Sequence, residues 1–484
     1  MMKKMLVFTF LALTAVGAWA ADDPTTPPCE TMEEAGLVAT DAIYPFITLP
    51  VSPGTRHASA GALPNGNFII ITSGAGTNLA AVVLDPQGNI VAGPSPVVHD
   101  ANGPIGFEET DFNCDASDAY LGLSHDGSEV AIGFAVEGAE NKNFTNALYP
   151  DDPGFCYIQR LRTSDLSPVG EAVAVFPGSI TAPTPDQTGF LYFPVGYMPN
   201  GSLIIIARSN NQYDLALRND ANGHIETGRL CVMTIINHDN SQVIAPPQIV
   251  GRQYGYDPLA SPNDWNVAPS RGVIPYADGC VIYIANQHGW ATVDQEGNVG
   301  EWHYFDGINS SGGETRISGD GNQGALLTDG QYKTGRTDAN MDPASAVVYD
   351  IPSGQRIFST PVTVWDQHPL GQRSYGAMNP KGEIFMFWHE PGYLGLAGTA
   401  AGRFVAADGT AYGDSSFIVM DSGTEAGGAF QHDRGQGAFG NAAAIFISHD
   451  AARPGRDPAA TNTEVVARIF TNPFGTPVTS WELH

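Results

Sequence analysis

Lysine is nearly missing from this chain. Beyond Lys3 and Lys4, only Lys142, Lys333 and Lys381 occur in 484 residues, so almost all positive charge rests on arginine. The total is 22 Lys+Arg against 51 Asp+Glu, a formal net charge of −29. So acidic a surface repels nucleic acid and disfavours anionic membranes. Cysteine is scarce as well, with Cys29, Cys114, Cys156, Cys231 and Cys280 and no C-x-x-C pair. That excludes a zinc ribbon and a thioredoxin-like redox site, and the odd count leaves at least one thiol without an intrachain partner. Long runs of helical period are absent, and 56 Gly with 35 Pro interrupt most windows, which argues against helices. Gly74-Ala75-Gly76 precedes no helical pattern and is no nucleotide loop.

A long apolar run occurs at the start alone. Lys3 and Lys4, the apolar stretch from Leu6 to Ala18, and Ala18-Trp19-Ala20 read as an export signal over residues 1–20. The run is too short to span a bilayer, and Cys29 comes too late for a lipoprotein site. A secreted or periplasmic protein with no membrane span is expected, in a compartment that permits disulfides.

What the chain has in abundance is a repeated turn. Leu63-Pro64-Asn65-Gly66-Asn67 precedes Phe68-Ile69-Ile70-Ile71, and Met198-Pro199-Asn200-Gly201-Ser202 precedes Leu203-Ile204-Ile205-Ile206. Met378 to Gly382 precedes Ile384-Phe385-Met386-Phe387 in the same way. Weaker copies lie at Ser124–Ser128, Tyr276–Gly279, Ser318–Asn322 and Gly437–Asn441, which makes seven. Asn-Gly and Asp-Gly between apolar runs mark hairpins, because these residues tolerate the positive φ of a tight turn. A second turn follows each first one, as in Asp85-Pro86-Gln87-Gly88-Asn89, Asp294-Gln295-Glu296-Gly297 and Asp350-Ile351-Pro352-Ser353-Gly354. Looser forms are Thr163-Ser164-Asp165-Leu166 and Asn237-His238-Asp239-Asn240.

Two hairpins per repeat make four antiparallel strands, and such sheets bury both faces by stacking on one another. On repeat count and turn chemistry the chain resembles a seven-bladed β-propeller from about Pro50 to His484, without the signatures of WD40, Kelch or sialidase repeats. The expected fold is thus all-β, a seven-bladed propeller of four-stranded antiparallel blades. The blades fall near 51–100, 108–176, 186–250, 268–305, 312–365, 370–420 and 428–484. Residues 21–50 form a linker in which Ile43 to Val51 reads as an extra strand, either closing the last blade or simply extending the N-terminus.

The resemblance implies a ligand site at one end of a central channel, on the face away from the first turns. His125 and Asp126 are then turn residues. The scarce cations gather at the other face: Arg56 and His57, Arg208, Arg271, His288, Arg316, Arg373, His389, Arg434 and His449. Arg offers a bidentate fork to carboxylate, sulfate or phosphate. An anionic ligand is therefore expected, an acidic glycan or another extracellular macromolecule. Tyr375 and Arg373, with His389 across the hairpin, resemble the Tyr/His/Arg sets of propeller-type polysaccharide lyases. There Arg neutralises a uronate carboxylate, His or Tyr removes the C5 proton and Tyr protonates the leaving oxygen. That resemblance gives His389, Tyr375 and Arg373 as catalytic candidates; a structural surface protein is the other alternative. No cofactor is indicated. Asp320-Gly321-Asn322 and Asp220-Ala221-Asn222-Gly223 have some calcium-loop character but lack EF-hand spacing. A disulfide between Cys114 and Cys156 would close the long loop near one rim.

Overall fold

Chain reversals at positive-φ residues organise the fold. In the computed structural model Gly66, Gly127, Gly201 and Gly382 take φ of 87°, 68°, 83° and 79° in first turns. Gly88, Gly297, Gly354 and Gly409 do the same in second turns. Asx side chains close these turns: Asn65 Oδ1 accepts from Asn67 N, Asn200 Oδ1 from Ser202 N, and Asp126 Oδ1 from Ser128 N. The structure describes residues 46–49, 55–74, 77–104, 120–135, 148–150, 156–177, 194–209, 230–251, 273–284, 289–304, 316–319, 323–328, 345–361, 374–378, 382–390, 399–413, 417–420, 442–449 and 463–470.

Strand β1 (Phe46–Leu49) comes first in the chain. Sheet 1 follows with β2 (Thr55–Ala62), β3 (Phe68–Gly74), β4 (Thr77–Leu84) and β5 (Ile90–Pro96). A small pair, β6 (His99–Asp100) and β7 (Gly103–Pro104), leads onward. Sheet 2 is β8 (Tyr120–Leu123), β9 (Glu129–Ala135), β10 (Cys156–Arg162) and β11 (Val173–Ala174). Sheet 3 is β12 (Val195–Tyr197), β13 (Leu203–Ser209), β14 (Leu230–Ile236) and β15 (Val243–Gly251). Sheet 4 is β16 (Ile274–Tyr276), β17 (Gly279–Ile284), β18 (Gly289–Asp294) and β19 (His303–Tyr304). Sheet 5 is β20 (Arg316–Gly319), β21 (Gln323–Thr328), β22 (Ser345–Asp350) and β23 (Gln355–Pro361). Sheet 6 is β24 (Ser374–Met378), β25 (Ile384–Glu390), β26 (Thr399–Val405) and β27 (Phe417–Met420). Sheet 7 holds β28 (Ala442–His449) and β29 (Thr463–Phe470), and β1 pairs antiparallel with the free side of β29. Every pairing is antiparallel, and no helix occurs among the described residues.

The sheets stack face to face in chain order. Along β13, Leu203 and Ile205 pack against sheet 2, while Ile204 and Ile206 pack against sheet 4. In β22, Val347 and Tyr349 meet sheet 4, and Ala346 and Val348 meet sheet 6. Alternate side chains of one strand thus serve two neighbouring sheets, which explains the unbroken apolar runs in the sequence. Burying each such Ile or Leu contributes about 1.5–3 kcal/mol. Phe385 and Phe404 of sheet 6 meet Phe470 of sheet 7 at centroid distances of 5.1 Å and 5.9 Å. Strand β2 lies against β8 on one side and β28 on the other. Small residues permit close approach of the first strands: a Cβ on Gly122 would sit 2.6 Å from Val195 O, and one on Gly196 would sit 2.7 Å from Val273 Cβ.

Two local readings need correction. The fourth first turn places positive φ (41°) at Ala277 instead of Gly279. Gly279 opens β17, where a Cβ would lie 1.9 Å from Val293 O, so close approach and not turn geometry requires glycine. The expected Cys114–Cys156 disulfide is not formed by Cys156, which is a free thiol with no exposed surface, packed with Ile158 and Val175; Cys114 lies outside the described residues. Among the described residues Cys231 and Cys280 are likewise free and buried. Burial raises all three thiols, pushing the thiolate out of reach at neutral pH. Labelling of the native protein with a maleimide, followed by peptide mapping, should leave these three unmodified, and denaturant should expose them.

The turn carboxylates imply an acid limit. Asp126 is held below its ordinary value by the Ser128 amide, Asp165 and Asp239 by the hydroxyls of Ser167 and Ser241, and Asp408 by the Thr410 amide. A lowered carboxylate stabilises the fold above its unfolded value near ~4, and that stabilisation is lost as pH falls through the lowered native value. The thermal midpoint should therefore decline on acidification below about pH 4. In Asp126→Ala the decline should be shallower.

Candidate functional site

Antiparallel meanders put all first and second turns at one end of their sheets. Every sequence candidate whose backbone is described lies at the other end. Arg56 and His57 open β2, with a register irregularity between Thr55 and His57 that leaves Arg56 as the extra residue of a bulge. Arg208 lies opposite Cys231 near the end of β13, and Arg316 opposite Leu327 at the start of β20. Tyr375 pairs with Phe387, His389 with Ala400, and His449 with Thr463. Tyr375 and His389 thus occupy one face of sheet 6, two register steps apart. Arg271, His288, Arg373 and Arg434 fall outside the described residues, as do Asp220–Gly223 and Asp320–Asn322.

The turn end has the opposite character. His125 and Asp126 sit in the turn between β8 and β9, both exposed. Asp165, Asp239 and Asp408 are exposed in second turns, joined there by the half-buried Asp85, Asp294 and Asp350. Their acceptor oxygens are taken up by the turns: Asp85 Oδ1 accepts from the amides of Gln87 and Asn89, and Asp294 Oδ1 from those of Glu296 and Asn298. Among the described residues no group of three or more His, Cys, Asp or Glu could hold a metal ion.

One charged cluster was not anticipated. Between sheets 2 and 3, Arg160 Nη1 donates to Glu129 Oε2 at 3.1 Å, and Tyr197 Oη donates to the same oxygen at 3.2 Å. His238 Nε2 lies 3.3 Å from Arg160 Nη1 and 3.6 Å from Glu129 Oε2. The Arg160 side chain is 4% exposed and that of Glu129 17%, whereas His238 is 55% exposed on the turn between β14 and β15. Burial and the neighbouring Glu129 carboxylate push the Tyr197 hydroxyl far up, so it stays a neutral donor. The cluster acts as a clamp between two sheets, with Tyr197 only 3% exposed and Arg160 Nε buried without a hydrogen-bond partner among the described residues. Glu129 stands two residues after its turn glycine, where sheets 1, 3 and 6 carry the buried Phe68, Leu203 and Ile384. Aligning the repeats would have exposed this exception. Arg160 and Arg403 hold matching places on β10 and β26, where sheets 1 and 3 carry Val82 and Thr234.

No family model matches the chain, and no curated protein matches its sequence. Among solved structures, virginiamycin B lyase from Staphylococcus aureus aligns at 11% identity over 88% of this chain and 99% of its own, with a TM-score of 0.41. A PL25 ulvan lyase aligns at 10% identity over 86% and 95%, with a TM-score of 0.46. Polysaccharide lyase Uly1 aligns at 10% identity over 91% and 95%, with a TM-score of 0.43.

Proposed function

We propose that this is an exported seven-bladed propeller that binds an anionic ligand, an acidic glycan, at the end of its sheets remote from the turns. In this reading residues 1–20 are removed on export, and β1 completes the seventh blade. One observation carries the proposal: Arg56, His57, Arg208, Arg316, His389 and His449 all sit at that end of their strands, while turn carboxylates crowd the other. In a protein of net charge −29, cations grouped at a channel mouth would focus potential and draw a polyanion there. Binding to a panel of acidic and neutral glycans tests this. Acidic members should bind in a salt-sensitive manner, and Arg271→Ala with Arg373→Ala should weaken binding by about tenfold or more. Equal affinity of that variant, or no acidic ligand in a broad panel, would remove the proposal.

A second reading is a polysaccharide lyase acting on uronate, ranked above a hydrolase, with Tyr375, His389 and Arg373 as the reacting set. The shared face of Tyr375 and His389 favours it, because proton removal and leaving-group protonation need both groups against one sugar. Release of unsaturated product, followed by ultraviolet absorbance, would support it, and a flat trace over many uronate polymers would dismiss it.

A further inference from the structure

Strand register distributes the candidate residues unevenly around the stack. In sheet 6, Met378, Ile384, Met386 and Val405 pack with Ala346 and Val348 of sheet 5. The alternate positions, Phe385 and Phe404, meet Phe470 of sheet 7. Tyr375 is paired with Phe387, and Phe387 and His389 follow Phe385 at every second position along β25. Tyr375 and His389 therefore occupy the face of sheet 6 that is turned to sheet 7.

Sheet 7 can be read in the same way. Phe470 pairs with Ala442, so Ala442, Ala444, Phe446 and Ser448 share the face turned to sheet 6. His449 belongs to the other face, and on that side β28 lies against β2, where Arg56 forms its bulge. Register thus places three candidates beside sheet 7 at one end, Tyr375 and His389 before it and His449 after it, and the bulge that carries Arg56 lies at the same end of the neighbouring β2. Arg208 lies elsewhere. It pairs with Cys231, whose neighbours Cys280 and Ile282 belong to sheet 4. Sheet 7 is also where the first and last described strands meet, through the pairing of β1 with β29.

We infer that the acidic group of the ligand is held off the axis of the stack, over sheet 7, by Tyr375, His389, His449 and Arg56, so that ligand binding and the docking of β1 reinforce each other. The inference rests on the anion-binding reading above and adds a location and a coupling to it. A ligand that spans the joints on both sides of sheet 7 binds only when that sheet is seated between sheets 6 and 1. It therefore stabilises the seated form by mass action. The chemistry shared by uronate carboxylate and sulfate ester is a planar or tetrahedral oxyanion, which Arg and neutral or charged His can both bond.

The test uses the full chain with three probes: polygalacturonate, dextran sulfate and neutral dextran. Binding of one or both polyanions but not of dextran is expected, and their comparison separates carboxylate from sulfate. Arg56→Gln and His449→Gln should each weaken binding by about tenfold, and Arg208→Gln by less than about threefold. If Arg56→Gln fails to fold, Arg56→Lys keeps the charge but not the fork and should still weaken binding. Saturating polyanion should slow hydrogen exchange of the Phe46–Leu49 amides by about fivefold or more relative to Leu203–Ser209. Equal losses from Arg208→Gln and Arg56→Gln, or unchanged exchange at Phe46–Leu49, would overturn the off-axis site while leaving anion binding intact. A wild-type protein that binds neither polyanion would overturn both.

Discussion

Arg160→Met is expected to destabilise the protein by about 1–3 kcal/mol, because it leaves the half-buried Glu129 carboxylate without its cation. Tyr197 would still donate to Glu129 Oε2, but one neutral donor cannot replace a guanidinium at 3.1 Å. His238 already lies 3.6 Å from Glu129 Oε2, but it is 55% exposed on its turn and carries charge only when protonated. The variant Glu129→Leu with Arg160→Val and Tyr197→Phe, which also removes the hydroxyl that donates to Glu129, should behave differently. It installs at the first two places the residue types that sheets 1 and 3 carry there, and replacing a whole buried pair by apolar groups is often neutral or stabilising. Chemical denaturation of the two variants measures the difference. If Arg160→Met costs less than about 1 kcal/mol, the pair is solvated and the clamp is not a clamp.

Gly279→Ala is the second large effect. Its Cβ would lie 1.9 Å from Val293 O and 2.9 Å from Val293 C, both backbone atoms that cannot rotate away. The strand pair β17–β18 would have to separate where Gly279 faces Asp294, at a cost above about 3 kcal/mol. Gly170→Ala provides the contrast. Gly170 has φ of 76° but nothing within 4 Å of its added Cβ, so the cost is the left-handed backbone alone, about 1 kcal/mol. Thermal unfolding of the two variants side by side separates steric from conformational need for glycine.

Turn chemistry was legible because it is local. The Asn-Gly and Asp-Gly turns at Gly66, Gly127 and Gly201, and the Lys-Gly turn at Gly382, join paired strands as their glycines require. Continuous apolar runs such as Leu203 to Ile206 likewise announced strands covered on both faces. Where several residue types can do one job, the reading failed. Ala277 takes the positive φ expected of Gly279, since a β-strand contact from Val293 had already claimed that glycine. The Glu129 clamp was hidden for another reason. Arg160 and His238 are 78 residues apart in the chain, and only the stacking of sheet 2 on sheet 3 makes them neighbours. Cys156 was misread because a loop-closing role was inferred from chain position, whereas its strand faces the core between two sheets. For the candidate site, the strand ends bearing Arg56, Arg316, His389 and His449 were foreseeable from the hairpin pattern. The grouping of His389 and His449 with Tyr375 beside sheet 7 was not, because it depends on which face each register assigns.

The most direct test of the account is an experimental density map of the protein soaked with a uronate oligosaccharide. The account predicts seven sheets in a closed ring and ligand density at the strand ends that carry Arg56, Tyr375, His389 and His449. Ligand density among the turn carboxylates at the opposite end, or an open stack with these side chains spread over its outer circumference, would contradict it.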